Sequence, residues 1–232
     1  MKHRRHAGQG MVEYALLLLL VAIVTLLALQ LMGISVREVY CSVASGFTPN
    51  ACATSTLCKD DFNNLGGSNV RNGAWKSVNG QACIVGGGIF YDQCSMSKLT
   101  AADYSASLQG AALKSGNGYG IFFRASDTGK GTNGYAFQYD PGLKGFVVRK
   151  WVNGVEINPA LAYTAAAANY DWYSQPHALT VKVVGDTFTG YVDGQPVLSG
   201  KDSTYAAGGT GVRTWDSTDF CLDQSVIDPI KP

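Results

Sequence analysis

The sequence predicts an α+β protein in which one long, apolar N-terminal α-helix precedes an all-β sandwich. The first observation behind this prediction is a run from Ala15 to Met32 that contains no charged residue and is apolar around the whole helical circumference. The second is a change after residue 60, where glycine becomes dense and short strand-like runs alternate with turn signals. The third is that all six cysteines follow the apolar run, which indicates disulfide formation in an oxidising compartment.

The apolar run is long enough to cross a bilayer. A helix from Ala15 to Met32 extends about 27 Å at ~1.5 Å per residue, and flanking residues complete the crossing. A one-sided apolar pattern then continues the helix until Gly46 and Pro49 favour a stop. We therefore divide the chain into a leader, an apolar transmembrane helix, a cysteine-bearing connector and a β-sandwich domain: residues 1–8, 9–47, 48–60 and 61–232.

A basic leader precedes the run and contains Lys2, Arg4 and Arg5 but no acidic residue. The positive-inside tendency keeps such a leader in the cytoplasm and exports the part of the chain beyond the helix. Outside the leader the sequence has no basic block, and the formal net charge is only +1. We therefore expect no nucleic-acid partner.

The N-terminal residues 1–47 resemble the Flp/Tad-type (type IVb) pilins. Gly8 matches the last leader residue of that family, Gln9 the first mature residue, and Glu13 with Tyr14 the glutamate-tyrosine pair a few residues later. The resemblance implies cleavage between Gly8 and Gln9 by a prepilin peptidase, and a role for Glu13 and Tyr14 in assembly. It also implies that the helix first lies in the inner (cytoplasmic) membrane. The pilus assembly machinery would then pack it into the core of a homo-oligomeric helical filament, an extracellular pilus on the cell surface.

Glu13 has a physical role in this hypothesis. A carboxylate among apolar helices is costly unless a positive group neutralises it. Cleavage after Gly8 exposes an α-amino group on Gln9, four residues away, which supplies such a group within the subunit or on its neighbour. Three alternatives stay open: an interfacial glutamate without an assembly role, a secretory signal peptide cleaved near Ala44, and a permanent membrane anchor.

The cysteines form no CxxC pair and no histidine cluster accompanies them, so the sequence predicts disulfides rather than a zinc site. The six residues are Cys41, Cys52, Cys58, Cys83, Cys94 and Cys221. Local spacing favours a bond between Cys52 and Cys58, or between Cys41 and one of them. The sequence alone does not select one connectivity.

Strand-like runs fill the chain beyond residue 60. They lie near residues 75–78, 81–85, 104–113, 120–125, 135–139, 145–151, 179–184, 187–192, 211–214 and 220–227. Asn153-Gly154 and Asp193-Gly194 each separate two runs of β-formers, and both pairs favour the type I′ turn of a two-residue hairpin. Gly185 marks a third tight reversal.

Residues 60–228 resemble the laminin G-like and concanavalin A-like jelly-roll superfamily. The motifs are the opening residues 60–62, the strand at 120–124, the strand start at 134–135, the run from 179 to 194 and the closing strand at 220–223. The resemblance implies a jelly-roll sandwich, and some relatives hold a structural calcium ion. Asp61 and Asp223, near the first and last strands, are the candidates for such a calcium site because carboxylate oxygens suit that ion. No other cofactor is expected.

The sequence offers little catalytic chemistry. Its three histidines are His3 and His6 in the leader and His177 in the body, which leaves no set for a catalytic triad or a histidine metal cluster. We predict that His177 is a strand-end residue rather than a base. Some jelly-roll relatives are glycosidases with paired carboxylates, but no short motif here carries two acids on one strand face. We therefore predict that the chain is not an enzyme.

Aromatic residues in polar surroundings suggest carbohydrate binding. Tyr170 and Trp172 lie in a polar loop, Trp151 lies beside a predicted hairpin, and Trp215 lies near the end of the domain. Aromatic faces of this kind can stack on sugar rings. We predict Tyr170, Trp172 and Trp151 as glycan-binding residues, with ordinary core packing as the alternative.

These observations lead to one functional prediction and one alternative. The prediction is a pilin, the structural subunit of a type IVb pilus, with the helix in the filament core and the sandwich displayed outside, where adhesion would be a secondary role. The alternative is a membrane-anchored carbohydrate-binding or carbohydrate-active ectodomain that does not polymerise.

Overall fold

The computed structural model describes residues 13–21, 23–24, 56–66, 69–92 and 101–230. The chain forms two compact units, Met1–Thr54 and Ser55–Pro232, each of which is treated by itself. Five residues with predicted roles lie outside the described residues: Gly8, Gln9, Cys41, Cys52 and Cys94.

The first unit corrects the predicted fold class. Residues 13–21 and 23–24 are helical. Within the described residues, no helix combines the length and the apolar character needed to cross a membrane. The prediction of an α+β protein with a long N-terminal apolar helix is therefore wrong, because the described structure is nearly all β. An uninterrupted apolar run is compatible with a membrane-spanning helix but does not by itself require one.

The second unit is a sandwich of two antiparallel sheets. Its strands are β1 (Cys58–Asp60), β2 (Asn69–Asn72), β3 (Lys76–Val78), β4 (Gln81–Val85), β5 (Gly88–Tyr91), β6 (Tyr104–Ser115), β7 (Tyr119–Asp127), β8 (Thr132–Asp140), β9 (Gly145–Val152), β10 (Val155–Glu156), β11 (Ala162–Ala165), β12 (His177–Val184), β13 (Thr187–Val192), β14 (Gln195–Lys201), β15 (Gly209–Thr214), β16 (Asp219–Leu222) and β17 (Gln224–Pro229).

The two sheets differ in their strand order. The first sheet has the order β14-β13-β12-β6-β16-β4-β3, and β17 pairs with both β6 and β1. The second sheet has the order β10-β9-β8-β7-β15-β5-β2, and β11 pairs with β9. Strands distant in sequence, such as β7 and β15, are therefore neighbours, as Greek-key connections require.

Alternate residues of facing strands fill the space between the sheets. Ile121 and Phe123 of β7 are fully buried there, as are Leu179 and Val181 of β12. Successive side chains of a strand point to opposite faces, so Gly120, between Tyr119 and Ile121, lies on the outer face of the second sheet. This alternation places the candidate site outside the core.

Most predicted strands are confirmed, and two of them match the observed bounds: Gln81–Val85 and Thr187–Val192. The predicted strand at 220–227 is divided in two, since Asp223 separates β16 from β17. The turns are confirmed by left-handed backbone at Asn153 (φ 51°) and Gly154 (φ 80°), and by the same geometry at the Asp-Gly pair of the β13–β14 hairpin. The missed strands are short or polar and lie mostly at sheet edges: β1, β2, β11 and β14, together with β5, which begins at a glycine.

A disulfide joins neighbouring strands of the first sheet. Cys83 of β4 lies directly opposite Cys221 of β16, and their sulfur atoms are bonded. Cys58 is also disulfide-bonded, and no described cysteine is free. The prediction of disulfide bonding is confirmed for these three residues, whereas the local pairing predicted for Cys58 involves residues outside the described part of the chain.

Candidate functional site

The outer face of the second sheet carries a groove whose floor is set by strand register. Gly120 of β7 pairs with Gln138 of β8 on one side and with Arg213 of β15 on the other, and Arg213 pairs with Ile89 of β5. Because Ile121 is buried in the core, Gly120 and these partners face away from it. Residues far apart in sequence thus form one row across the sheet.

Gly120 gives the Arg213 side chain room to lie across the sheet. A Cβ atom at position 120 would lie 3.5 Å from Cγ of Arg213, 3.2 Å from Cγ of Gln138 and only 2.9 Å from the carbonyl oxygen of Phe137. The last of these atoms is main chain and cannot move aside easily. A larger residue at this position would therefore disturb the floor of the groove.

Arg213 is held between two tryptophans. Its Cζ atom lies 4.6 Å from the ring centre of Trp151 and 4.5 Å from the ring centre of Trp215. A guanidinium over an indole face is attracted by the ring quadrupole, and both rings contribute here. The Arg213 residue is only 9% exposed, whereas Trp215 is half-buried and keeps part of its ring in contact with solvent.

Glu156 fixes the guanidinium in its plane. Nη1 of Arg213 donates to Oε2 of Glu156 at 2.5 Å, and Nε of Arg149 forms an ion pair with Oε1 of the same carboxylate at 2.9 Å. Arg149 also donates to the side chain of Asn158. Burial lowers the pKa of Arg213, and the adjacent Glu156 opposes that shift. The two arginines and the glutamate form one preorganised cluster.

Asp140 is a buried carboxyl beside this cluster. Its Oδ1 atom accepts a hydrogen bond from the main-chain N–H of Leu143 at 2.8 Å. Burial raises the pKa of Asp140, although the Leu143 N–H, Arg213 and Arg149 oppose the shift and Glu156 reinforces it. The groove therefore contains three acidic groups in different environments: Glu156 is ion-paired, Asp140 is desolvated, and Asp216 is exposed.

Two buried polar atoms at the groove have no hydrogen-bond partner among the described residues. They are Oε1 of Gln138 and Nε1 of Trp151, an acceptor and a donor. Gln138 is 2% exposed and Trp151 is 7% exposed. Buried polar groups are normally satisfied, so a hydrogen bond is missing at each of these two atoms, as it is at four buried atoms elsewhere in the described domain: Nε1 of Trp75, Oη of Tyr119, Oη of Tyr170 and Nε2 of His177.

The groove consists of two cavities that share one wall. The first, of about 410 Å³, is lined by Gln138, Asp140, Arg149 and Glu156, among others. The second, of about 440 Å³, is lined by Asn72, Ile89, Trp151 and Gly154, among others. The shared wall is formed by Arg213, Trp215 and Asp216. Both volumes lie in the range of small-molecule sites.

The structure separates the predicted glycan-binding residues. Trp151 lies at the groove, but Tyr170 and Trp172 pack against the interior of the sandwich. The Trp172 ring centre lies 4.8 Å from that of Tyr139, and its carbonyl oxygen accepts from Oη of Tyr139 at 3.0 Å. Tyr170 contacts the rings of Phe146 and Trp172. The glycan-binding role of Tyr170 and Trp172 stays a prediction, and their loop belongs to a different part of the domain from the groove.

Sequence reasoning missed most of the groove, although one signal was present. Arg213, Glu156, Arg149, Gln138 and Asp140 were not singled out. The predicted Asn-Gly hairpin, however, places Glu156 directly opposite Trp151 in the β9–β10 pair. That register identifies a carboxylate beside a candidate aromatic residue. Nothing in the local sequence pairs either of them with Arg213.

The remaining predicted site residues lie elsewhere. Asp61 accepts from the main-chain N–H of Asn63 at 3.3 Å, and Asp223 accepts from the side chain of Gln81. Among the described residues, no group of three or more His, Cys, Asp or Glu side chains could hold a metal ion. The calcium site therefore stays a prediction. His177 is the first residue of β12, as predicted, and Nδ1 of its buried ring lies 2.6 Å from Asp193.

Glu13 and Tyr14 are both described, and both are exposed on the helix of the first unit. Tyr14 is 71% exposed. Their assembly role stays a prediction, as does the cleavage between Gly8 and Gln9.

Comparison with known proteins bears on the β-sandwich. No family model and no curated protein matches the sequence. Among solved structures, the carbohydrate-binding module CBM66 from Bacillus subtilis is 23% identical with a TM-score of 0.54, and the match covers 70% of this chain and 92% of that one. The VIP36 exoplasmic/lumenal domain, solved with Ca²⁺ and Man3GlcNAc, is 10% identical with a TM-score of 0.58, covering 76% and 90%. A galectin-like protein of unknown function from Bacillus subtilis is 11% identical with a TM-score of 0.57, covering 75% and 96%.

The fold is a galectin-like jelly roll. At these identities the likeness concerns the fold alone, and it confirms the jelly-roll sandwich predicted for the second part of the chain. None of these jelly-roll structures bears on the N-terminal residues that resemble pilins, so that resemblance remains without support from the comparisons. What the groove on this jelly roll binds has to be argued from its own residues.

Proposed function

We propose that the jelly-roll domain is a carbohydrate-binding domain and that the groove around Arg213 is its binding site. The observation that carries this proposal is the arrangement at the groove, where a guanidinium stacked between Trp151 and Trp215 lies beside unpartnered atoms of Gln138 and Trp151. Aromatic faces and fixed polar groups are the two components that a sugar ring requires. The fold neighbours CBM66 and VIP36 support the proposal, since their names describe a carbohydrate-binding module and a mannose-containing complex.

The polar groups suit sugar hydroxyls because each is already held in place. Oε1 of Gln138 is an acceptor and Nε1 of Trp151 is a donor, and neither has a hydrogen-bond partner among the described residues. Arg149 and Arg213 offer further N–H groups that their shared bonds to Glu156 keep in fixed directions. Preorganised groups of this kind lower the cost of binding, since little side-chain freedom is lost.

The charge balance at the groove favours neutral glycans over anionic ligands. Arg149 and Arg213 both pair with Glu156, and Asp140 and Asp216 are two further acidic groups at the groove. The positive charge is therefore compensated within the cluster. An acidic sugar or a phosphate would gain little net attraction and would compete with Glu156 for the same guanidinium groups.

We also propose that the groove binds glycans without hydrolysing them. Retaining and inverting glycosidases need one carboxyl group that protonates the leaving group and a second that acts as nucleophile or base. Both oxygens of Glu156 are engaged by arginine, so neither oxygen is free to act as a nucleophile or base. One oxygen of Asp140 is bound to the main chain at Leu143. This arrangement supports a lectin-like role for the groove.

An oxidising location outside the cytoplasm is proposed for the domain. The bonded pair Cys83 and Cys221 supports it, because such bonds form and persist in secreted and periplasmic proteins. Disulfide bonding of Cys58 adds to this argument.

A glycan array probed with the full chain tests the proposed function. Binding to neutral glycans is expected, and Trp215→Ala should abolish it. Tyr191→Ala is the matched control, because Tyr191 lies in the first sheet and also carries a cation over its ring, Lys182 at 4.9 Å. Loss of binding in both variants, or no signal from the unaltered chain, would refute the proposal. The same samples checked by mass spectrometry for shortened glycans test for hydrolysis, and none is expected.

The N-terminal sequence supports a second candidate, a pilin subunit that assembles with copies of itself after prepilin peptidase cleavage. The observation that favours it is the exposure of the apolar helix in the first unit, where Leu16 and Leu20 are 59% and 63% exposed. Exposed apolar surface of this extent requires lipid or another apolar partner. Mass spectrometry of the N-terminus in cells tests this candidate: a start at Gln9 supports it, and an intact leader or a cut near Ala44 counts against it.

A further inference from the structure

We propose that the groove binds a linear glycan along its chain, with one sugar unit on each side of the wall formed by Arg213 and Trp215. This inference rests on the proposed function and makes it more specific. A protein of this kind binds two or more consecutive sugar units of an oligosaccharide rather than a single sugar ring.

The two cavities are similar in size and lie on opposite sides of the same wall. Their volumes are about 410 and 440 Å³, and Arg213, Trp215 and Asp216 contribute to both. Both cavities are open to solvent, so a chain that enters one can leave through the other. Each volume falls within the range of complete small-molecule sites, and a single sugar ring would leave one cavity unused.

Each cavity is also lined by a polar side chain of its own. Gln138 lines the first cavity and Trp151 lines the second. Oε1 of Gln138 and Nε1 of Trp151 are buried atoms without a hydrogen-bond partner among the described residues. A ligand that occupies both cavities contacts both side chains, whereas a ligand confined to one cavity contacts only one of them.

The wall between the cavities is rigid. Arg213 is fixed by Trp151, Trp215 and Glu156, so its guanidinium cannot swing aside to merge the cavities. Asp216, at the outer end of the wall, accepts a hydrogen bond from Nδ2 of Asn117 at 2.7 Å. The linkage between two sugar units would lie over this wall, against the exposed part of the Trp215 ring.

Calorimetric titration of the full chain with neutral oligosaccharides of graded length tests the inference. The probes are gluco-, manno-, galacto- and fructo-oligosaccharides of one to four units. For the series that binds, affinity should rise by about tenfold or more between one unit and two or three units, and should then level off. Equal affinity for one and three units would overturn the inference while leaving the proposed function intact. No heat with any of these sugars would overturn both.

Two variants assign the cavities separately. Gln138→Leu removes the acceptor of the first cavity, and Trp151→Phe removes the donor of the second while keeping an aromatic ring over Arg213. One of the two variants should weaken the binding of oligosaccharides of every length. The other variant should remove only the increase in affinity that comes with added sugar units. A uniform loss in both variants would indicate one undivided site and would overturn the inference. Circular dichroism and the melting temperature of each variant, compared with Tyr191→Ala, establish that the fold is kept.

Discussion

Glu156 and Arg213 form an ion pair at 2.5 Å although β9, β8 and β7 lie between their strands in the second sheet. Neighbouring strands lie ~4.8 Å apart, so a pair of this kind requires long side chains that extend toward each other across the face. Gly120 of β7 makes this possible because it has no side chain, which leaves room for the Arg213 side chain to cross the face of the sheet. The pair therefore joins the end of the β9–β10 hairpin to the middle of the sheet.

Replacing Glu156 should release both arginines at once. Glu156→Gln keeps the shape of the side chain but removes its charge, and we expect the free energy of unfolding to fall by about 1.5–3 kcal/mol. Urea denaturation measures this change. Lys201→Ala is the control, because the Lys201–Asp186 pair is exposed and 3.9 Å long, and its loss should cost less than about 1 kcal/mol. Equal effects of the two substitutions would contradict the structural role of Glu156.

Arg213→Lys tests the need for a planar guanidinium. Lysine keeps the positive charge but cannot stack flat between Trp151 and Trp215 or present a fork to Glu156. We expect glycan affinity to fall about tenfold or more, as measured by calorimetry with the strongest glycan from the array. Arg71→Lys provides the comparison, since Arg71 pairs with Asp127 at 2.7 Å at another position and should leave affinity unchanged. A lysine variant that binds like the unaltered chain would mean that charge alone suffices.

Glycan binding should weaken at acidic pH because the Asp140 carboxylate becomes protonated. Burial raises the pKa of Asp140, and Arg213, Arg149 and Glu156 are the charged groups that act on it. As the pH falls through this raised pKa, the carboxylate takes up a proton and one of its acceptor sites becomes a donor. Affinity should therefore decline at a pH above the ordinary value of about 3.9.

Titrations of affinity between about pH 3.5 and pH 7 measure this effect, and Asp140→Asn removes the titrating group. The variant should lose the part of the pH dependence that belongs to Asp140. For stability the sign is opposite: a raised pKa in the folded state means that ionised Asp140 costs stability at neutral pH, and this cost disappears as the pH falls. Identical pH profiles for the two proteins would rule out Asp140 as the responsible group.

Asp202 should stabilise the domain at neutral pH. Burial by itself would raise its pKa, but hydrogen bonds from Thr204, from Tyr135 Oη at 2.7 Å and from Lys150 at 3.2 Å outweigh burial and hold the pKa of Asp202 well below its usual range. Because the folded-state pKa is depressed, the stabilisation is complete above the unfolded value of about 3.9 and is lost as the pH falls toward the folded value.

Asp202→Asn should therefore lower the free energy of unfolding by about 1.5–3 kcal/mol at neutral pH and by less at about pH 3. Denaturant unfolding at the two pH values measures the difference. Asp228→Asn serves as a control carboxyl, at the end of β17. A penalty for Asp202→Asn that stays constant with pH would show that the lost contacts do not depend on the charge.

The secondary structure of the domain was largely predictable because it depends on local chemistry. The Asn153-Gly154 turn needs two residues that tolerate left-handed backbone, and the run from Leu179 to Val183 buries every second side chain. Edge strands such as β2 and β14 were missed because they bury few side chains and carry weak patterns. The long N-terminal helix was predicted incorrectly, since an uninterrupted apolar composition is compatible with a membrane-spanning helix but does not require one.

The candidate site was predictable only in part. Trp151 was selected as an aromatic residue beside a polar turn, and hairpin register would have added Glu156. Tyr170 and Trp172 met the same criteria but pack against the interior around Tyr139. Aromatic residues near polar loops therefore look alike in sequence whether they contact the core or solvent.

The sequence by itself determined most of the strands and their turns, because these depend on residues close together in the chain, and its cysteine pattern correctly indicated disulfide bonding for the described cysteines. Only the tertiary structure decided that Arg213 meets Trp151, Trp215 and Glu156 on one face. The pairing of β7 with β15 brings these residues together. The pattern of a strand indicates which of its side chains share a face. How the two sheets pack determines which face becomes buried and which strands lie beside it.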